Sequence, residues 1–332
     1  MNSFKTILVI SALLVAVLSG AEGASSYVFG AGRTTKNETL VFQVTEGSVT
    51  PVSASIFPNY VPKNIVENEL EFLYPYSFGV GNRFVSVVFP GHEARQGTLQ
   101  VNSFDGSVWT TKPYQHPLAS NNDFFLFGLP DATDPNLVTL VSPMTWAAPN
   151  TQFSAFDLGS STINSTYYWG GEYYMFSPLG YNAHTDQLIW NFSNDNIYAG
   201  LRNPKIIKPC GSGPVFKCNG LAVVADPGST TTYFLRSVYG SSTIDLLSFD
   251  GDSFSHPLVS IPADTLYFSS DDEHVPPVQL AYLADVNVVL AFGRSSAHAT
   301  TYDVVSFDLN DNSYSVKPTH LTELDNLVSI VV

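Results

Sequence analysis

Charge is scarce in this chain and mostly of one sign. Charged residues make up 13% of the 332, with 14 Lys and Arg against 29 Asp and Glu, for a net charge of −15. An acidic surface of this kind argues against nucleic acid and anionic membranes as partners. Cysteine is limited to two positions, Cys210 and Cys218. A metal site would need more ligands at short spacing, so neither metal nor cofactor is expected. The common catalytic signatures are missing: there is no Gly-x-Ser-x-Gly, no His-Glu-x-x-His and no P-loop. After the N-terminal segment no stretch reaches the roughly 18 apolar residues that a membrane helix needs.

The first residues carry the compartment signal. Lys5 precedes an apolar run from Ile7 to Leu18 that only Ser11 interrupts, and Ser19-Gly20-Ala21 and Ala21-Glu22-Gly23 both fit a small-x-small cleavage site. Residues 1–23 are therefore expected to be a signal peptide and residues 24–332 the secreted, extracellular domain. Three sequons, at Asn37, Asn164 and Asn191, agree with that route. An oxidising compartment favours a disulfide between Cys210 and Cys218 across a Gly- and Pro-containing loop. So small a loop is worth about 2–3 kcal/mol and pins a local excursion.

Aromatic residues reach 13%, which suits strands, and one pattern recurs. An apolar strand is followed by a polar loop, a second strand ending in Phe-Asp or similar, a tight turn and a third strand. The clearest copy runs through Val288-Val-Leu-Ala-Phe-Gly293, Tyr302-Asp-Val-Val-Ser-Phe-Asp308 and Ser313-Tyr-Ser-Val-Lys-Pro318. Others centre on Phe249, with its last strand read at Ser253-Phe-Ser-His-Pro257, and on Phe156 and Phe104, with weaker ones on Val44 and Phe192. The anchors lie 60, 52, 36, 57 and 58 residues apart, a period that belongs to propellers with one four-stranded blade per repeat. A fourth strand precedes the trio in several copies, as Val278–Leu283 does, so the blade reads A-B-C-D. The first copy, from Ser26 to Gly30, lacks its A strand, while Asn326–Val332 is left over. The predicted fold is all-β: a single propeller of about six blades, closed by the C-terminal strand pairing with the N-terminal blade. The copy at Phe192 has too little room for four strands, so either it is irregular or the blade count is off by one.

The unit Val288–Pro318 resembles a Kelch repeat in its B strand ending in Phe-Gly, its long B–C loop and its Val-x-x-Phe-Asp C strand. Trp109 stands near the Kelch D-strand tryptophan. The family's Gly-Gly pair appears only as Gly30-Ala-Gly32 or Phe292-Gly293. The resemblance implies a fold and no activity.

In such a blade the B–C and D–A connections share one end, and the tight A–B and C–D turns share the other. Long loops carry function more often than turns. The candidate ligand-binding residues come from the connections read as long: His92, Trp146, Tyr181, His184, Arg294 and His298, with Arg33 following the first B strand. Arg33 and Arg294 would be neighbours across the closing seam, suited to a carboxylate or sulfate. Trp146, Tyr181 and Tyr239 suit stacking on sugar rings, and equally packing on nearby loops. The loop Asp271-Asp-Glu-His274 lacks the spacing of a calcium loop. The expectation is a monomeric extracellular recognition protein for a glycan or protein ligand. The alternatives are a secreted propeller hydrolase or oxidoreductase with a His and acid site at the channel mouth, since a glycosidase's two acids need not be near in sequence, and a matrix or coat component.

Overall fold

The structure, a computed structural model, describes residues 27–34, 39–45, 49–51, 76–80, 83–88, 98–104, 109–115, 127–131, 134, 136–142, 151–160, 162–169, 177–192, 196–200, 205–211, 218–268, 278–319 and 324–331. The expected signal peptide, Asn37, His92 and Trp146 lie outside them. Among the described residues there is no helix, and the 24 strands form six four-stranded antiparallel sheets.

The first sheet holds β1 (Tyr27–Thr34), β2 (Thr39–Thr45) and β3 (Val49–Pro51), with β24 (Leu324–Val331) beside β1. The second comprises β4 (Tyr76–Val80), β5 (Arg83–Val88), β6 (Thr98–Phe104) and β7 (Trp109–Gln115). The third comprises β8 (Phe127–Pro130), β9 (Leu137–Ser142), β10 (Thr151–Asp157) and β11 (Thr162–Trp169). The fourth comprises β12 (Ser177–Asn182), β13 (Gln187–Phe192), β14 (Asn196–Ala199) and β15 (Lys205–Ile207). The fifth comprises β16 (Cys218–Ala225), β17 (Thr232–Val238), β18 (Thr243–Phe249) and β19 (Val259–Pro262). The sixth comprises β20 (Gln279–Leu283), β21 (Val288–Gly293), β22 (Asp303–Asp308) and β23 (Ser313–Pro318).

Each sheet is a meander with its strands in chain order, except that β24 takes the first place in the first sheet. Its register runs from Phe29 opposite Val331 to Thr34 opposite Leu324. The leading strands touch in succession: β12 meets β16, β16 meets β20, β20 meets β24, β24 meets β4 and β4 meets β8. The arrangement is β-propeller-like.

Packing explains why the inner strands read as unbroken apolar runs. All six residues of β21 are buried. Val289 and Ala291 face a core shared with Ala222, Tyr233, Leu246 and Ile261 of the fifth sheet. Val288, Leu290 and Phe292 face the other way, onto Val44 of the first sheet. A strand covered on both sides needs no polar alternation.

Two sequence readings are corrected. The D strand of the fifth sheet is Val259–Pro262, not Ser253–Pro257. Asp250 Oδ1 accepts from the Asp252 and Ser253 amides at 2.9 and 2.8 Å, and the tight loop this makes leaves Phe254 only an isolated bridge to Phe249. Those amides hold the exposed Asp250 carboxyl below the usual range. The larger correction concerns Phe192, which ends β13, the second strand of a complete four-stranded sheet. The expected irregular blade is not there, although β14 and β15 are short. In five sheets the anchor opposes the first or second residue of the B strand, as Phe307 opposes Val289. In the fourth sheet that place falls to Gly200, whose amide donates to Leu188 O at 2.9 Å. The spacings either side then become 44 and 49 residues.

Candidate functional site

The moved anchor also moves two candidate residues. Because Gln187–Phe192 is a B strand, residues 183–186 form the A–B turn of the fourth sheet and not a B–C loop. Tyr181 and His184 therefore sit at the tight-turn end, away from Arg294 and His298. Their partners there are structural. Tyr181 Oη donates to Asp186 Oδ1 at 2.9 Å, and Asp186 has φ 49°. Tyr282 Oη donates to Asn287 Oδ1 at the same 2.9 Å, and Asn287 has φ 56°. Asp and Asn tolerate this left-handed conformation better than other side-chain-bearing residues. The repeated device is a tyrosine near the end of the A strand, clasping an Asp or Asn five residues on that closes the turn.

The same end joins sheets. Asn182 Nδ2 lies 3.2, 3.1 and 3.3 Å from Ser229 O, Thr231 O and Thr232 Oγ1, in the next sheet's A–B turn and the start of β17. His184 Nε2 lies 2.8 Å from Pro227 O. Beside this turn the rings of Tyr233 and Tyr282 are 5.1 Å apart, and burial, reinforced by Tyr282, pushes the Tyr233 hydroxyl well above its ordinary range. It stays protonated and donor-competent at physiological pH.

The long-loop end is described best at the fifth and sixth sheets. Ala263 N donates to Ser242 O at 3.0 Å, and Thr319 N and Oγ1 donate to Tyr302 O at 3.0 and 2.9 Å. Each B–C loop is thereby tied to the chain leaving its own outer strand. Tyr267 N donates to Arg294 O at 2.7 Å, which fastens the connection between the two sheets to the root of the 294–302 loop. The Arg294 guanidinium carbon lies 4.7 Å from the Tyr302 ring centroid, and Tyr302 is 4% exposed. A buried ring below the cation restricts its directions and adds a cation–π attraction. His298 is exposed on the same loop. Burial lifts the Asp303 carboxyl at the loop's far root above its ordinary range. Tyr239, in the fifth sheet's B–C turn, is 77% exposed.

Register relates Arg294 to Arg33. Phe307 opposes Val289, and Val44 opposes Val28. Five residues on from Val289 and Val28 stand Arg294 and Arg33. The two positions are equivalent in the B-strand registers of adjoining sheets, and Val44 shares a core with Leu290, Phe292 and Tyr302. His184 and His298, at opposite ends, do not converge. Among the described residues no group of three or more His, Cys, Asp or Glu side chains is placed to hold a metal.

The disulfide is formed. Cys210 and Cys218 have Cα atoms 5.5 Å apart, where the fourth sheet hands over to the fifth. Sequence reasoning missed the arginine that steadies this loop. Arg236 Nη1 donates to Pro209 O, and Nη2 donates to Asp245 Oδ2 at 3.3 Å. Asp245 Oδ1 in turn accepts from Ser260 Oγ at 2.8 Å and Thr243 Oγ1 at 3.2 Å. The signal was a lone Arg in an apolar strand, directly opposite the lone Asp of the next.

Among solved structures the chain resembles the crystal structure of TolB from Acinetobacter baumannii, with 11% identity and a TM-score of 0.50, over 97% of this chain and 70% of that one. At that identity the likeness is one of fold alone. No protein-family model matches the chain. No curated protein matches it either.

Proposed function

We propose that this is a secreted recognition protein that binds an anionic extracellular ligand, a glycan or protein bearing carboxylate or sulfate, at the long-loop end of a closed six-bladed propeller. The observation that carries this reading is Arg294, held over the buried Tyr302 ring, with Arg33 at the equivalent register position of the adjoining sheet's B strand. In a chain with 29 acidic residues, two arginines at that junction are a local exception to the overall charge. Guanidinium groups bind planar oxyanions through paired donors. The exposed Tyr239 and His298 offer stacking and hydrogen bonding at the same end. Closure is supported by the β1–β24 pairing and by the succession of touching inner strands. Secretion is supported by the disulfide, which fits an oxidising compartment. Among the described residues no helix is long and apolar enough to cross a membrane.

The test is an array of neutral, carboxylated and sulfated glycans, followed by titration of the best binder against variants. Arg294→Ala is expected to weaken binding at least about tenfold, the value of one lost charge-assisted contact. Arg294→Lys should recover part of it, and added salt should weaken the parent more than Arg294→Ala. Equal affinity of parent and Arg294→Ala, in proteins of equal thermal stability, would remove this site from the reading.

A further inference from the structure

The three sequons are equivalent as sequence motifs, but the fold separates two of them sharply. Asn164 lies in β11, which is last in its sheet, and no described strand pairs with its outer side. Within β11 it is also the odd residue. Ala155 opposes Ser165 and Phe156 opposes Ile163, so Asn164 has no partner on β10 and forms a bulge. A bulge on an edge strand interrupts the ladder and turns the chain away from it. Asn191 has the opposite setting. It lies in β13, opposite Ser177 on one side and Ile197 on the other. Strand alternation puts position 191 on the same face as Ile189, which is 0% exposed and shares a core with Val223 and Phe234 of the fifth sheet. Packed sheets stand about 10 Å apart, a space that side chains fill.

From this contrast we infer that Asn164 is an N-glycosylation site of the folded protein and that Asn191 is not. The inference rests on the secreted reading. The Asn164 amide nitrogen forms a bond to the anomeric carbon of a lipid-linked oligosaccharide as the bond from that carbon to the lipid diphosphate breaks. The amide gives up one proton, and the diphosphate departs as the leaving group. Position 164 is on an outer edge strand, where a sugar displaces no described strand. The sugar also caps a strand whose outer side would otherwise be open to pairing with another chain. Position 191 is on a strand paired on both sides, at a register shared with Ile197 and on the sheet face of Ile189, a place that leaves no room for a sugar, so chains that carry one are removed before secretion.

The experiment expresses the full chain in a secreting eukaryotic cell and maps glycopeptides from both medium and cell. Enzymatic deglycosylation in heavy-oxygen water marks each formerly occupied asparagine. The expected result is occupancy at Asn164 and none at Asn191 in the medium. Asn164→Gln should lose one glycan's mobility shift, and Asn191→Gln should lose none. Secreted protein with Asn191 occupied, or with Asn164 bare, overturns this inference alone. A chain kept in the cell with no glycan overturns it together with the secreted reading.

Discussion

A chain lacking residues 326–332 is expected to lose cooperative folding and to be recovered as aggregate. The truncation removes most of β24, including the pairings of Val331, Ile330, Ser329, Leu327 and Asn326 with the segment Phe29 to Arg33. It also strips neighbours from β4 and β20, because β24 touches both. The remaining edge of β1 would present unpaired amides and carbonyls to other chains. Holding the two ends together costs little beyond closing any long loop, since that entropy grows only logarithmically with length. The loss of contacts is therefore not offset by a comparable gain in freedom. Leu327→Pro, which deletes one amide from the same strand, should lower the urea midpoint without abolishing folding. A truncated protein that stays monomeric, with an unchanged midpoint, would show that the sheets do not depend on this strand.

Phe234→Ala is expected to cost about 3–5 kcal/mol, the usual range for emptying a buried aromatic site. Phe234 is 0% exposed. Its ring stands edge-on to Phe249 and Phe254, with centroids 5.7 and 5.0 Å away, while those two rings are 4.7 Å apart. The same cluster takes in Ile189 and Ile197 of the fourth sheet, so the ring holds two sheets together. Against a total stability of about 5–15 kcal/mol for a typical domain, such a loss is a large share. Phe234→Leu keeps most of the volume and should cost much less. Urea unfolding of the three proteins measures this directly. A loss under about 1 kcal/mol for Phe234→Ala would mean that the site collapses freely or is not packed as described.

How much of this was legible in the sequence differs from strand to strand. Strands covered on both faces, such as Val288–Gly293, announce themselves as apolar runs between turn residues, and their placement followed from composition alone. The orphan C-terminal strand was legible because the first sheet lacked a partner for β1. The fourth sheet was misread because its C strand ends in Ala199-Gly200 and carries no Phe-Asp mark, so the nearest aromatic, Phe192, was taken in its place. That single slip carried Tyr181 and His184 to the wrong end. The clasp from Tyr181 to Asp186, repeated from Tyr282 to Asn287, was visible as a shared five-residue spacing. It could have been recognised as an A–B turn once one copy was placed. The D strand of the fifth sheet was unreadable for a different reason. Asp250 captures two backbone amides, and that local bonding overrides the strand preference of Ser253-Phe254-Ser255. For the site, Arg33 and Arg294 could be equated only through cross-strand register, which sequence spacing approximates and pairing determines.

The central claim is that the two ends of the chain meet in one sheet in a defined register, and paired cysteines test it most directly. Ala31 and Ser329 stand opposite each other in β1 and β24. Opposed residues in antiparallel strands have Cα atoms about 4.5–5.5 Å apart, within the range a disulfide spans. The native Cys210 and Cys218 are bonded to each other, which leaves no native thiol to compete. In the double variant Ala31→Cys with Ser329→Cys, mild oxidation is expected to link the N- and C-terminal peptides in a monomer that keeps its native disulfide. Moving the second substitution to Asp325→Cys shifts it about 13 Å along the strand, and that variant should remain reduced. Failure of the first pair to link, or equal linking by both, would contradict this pairing of the two ends.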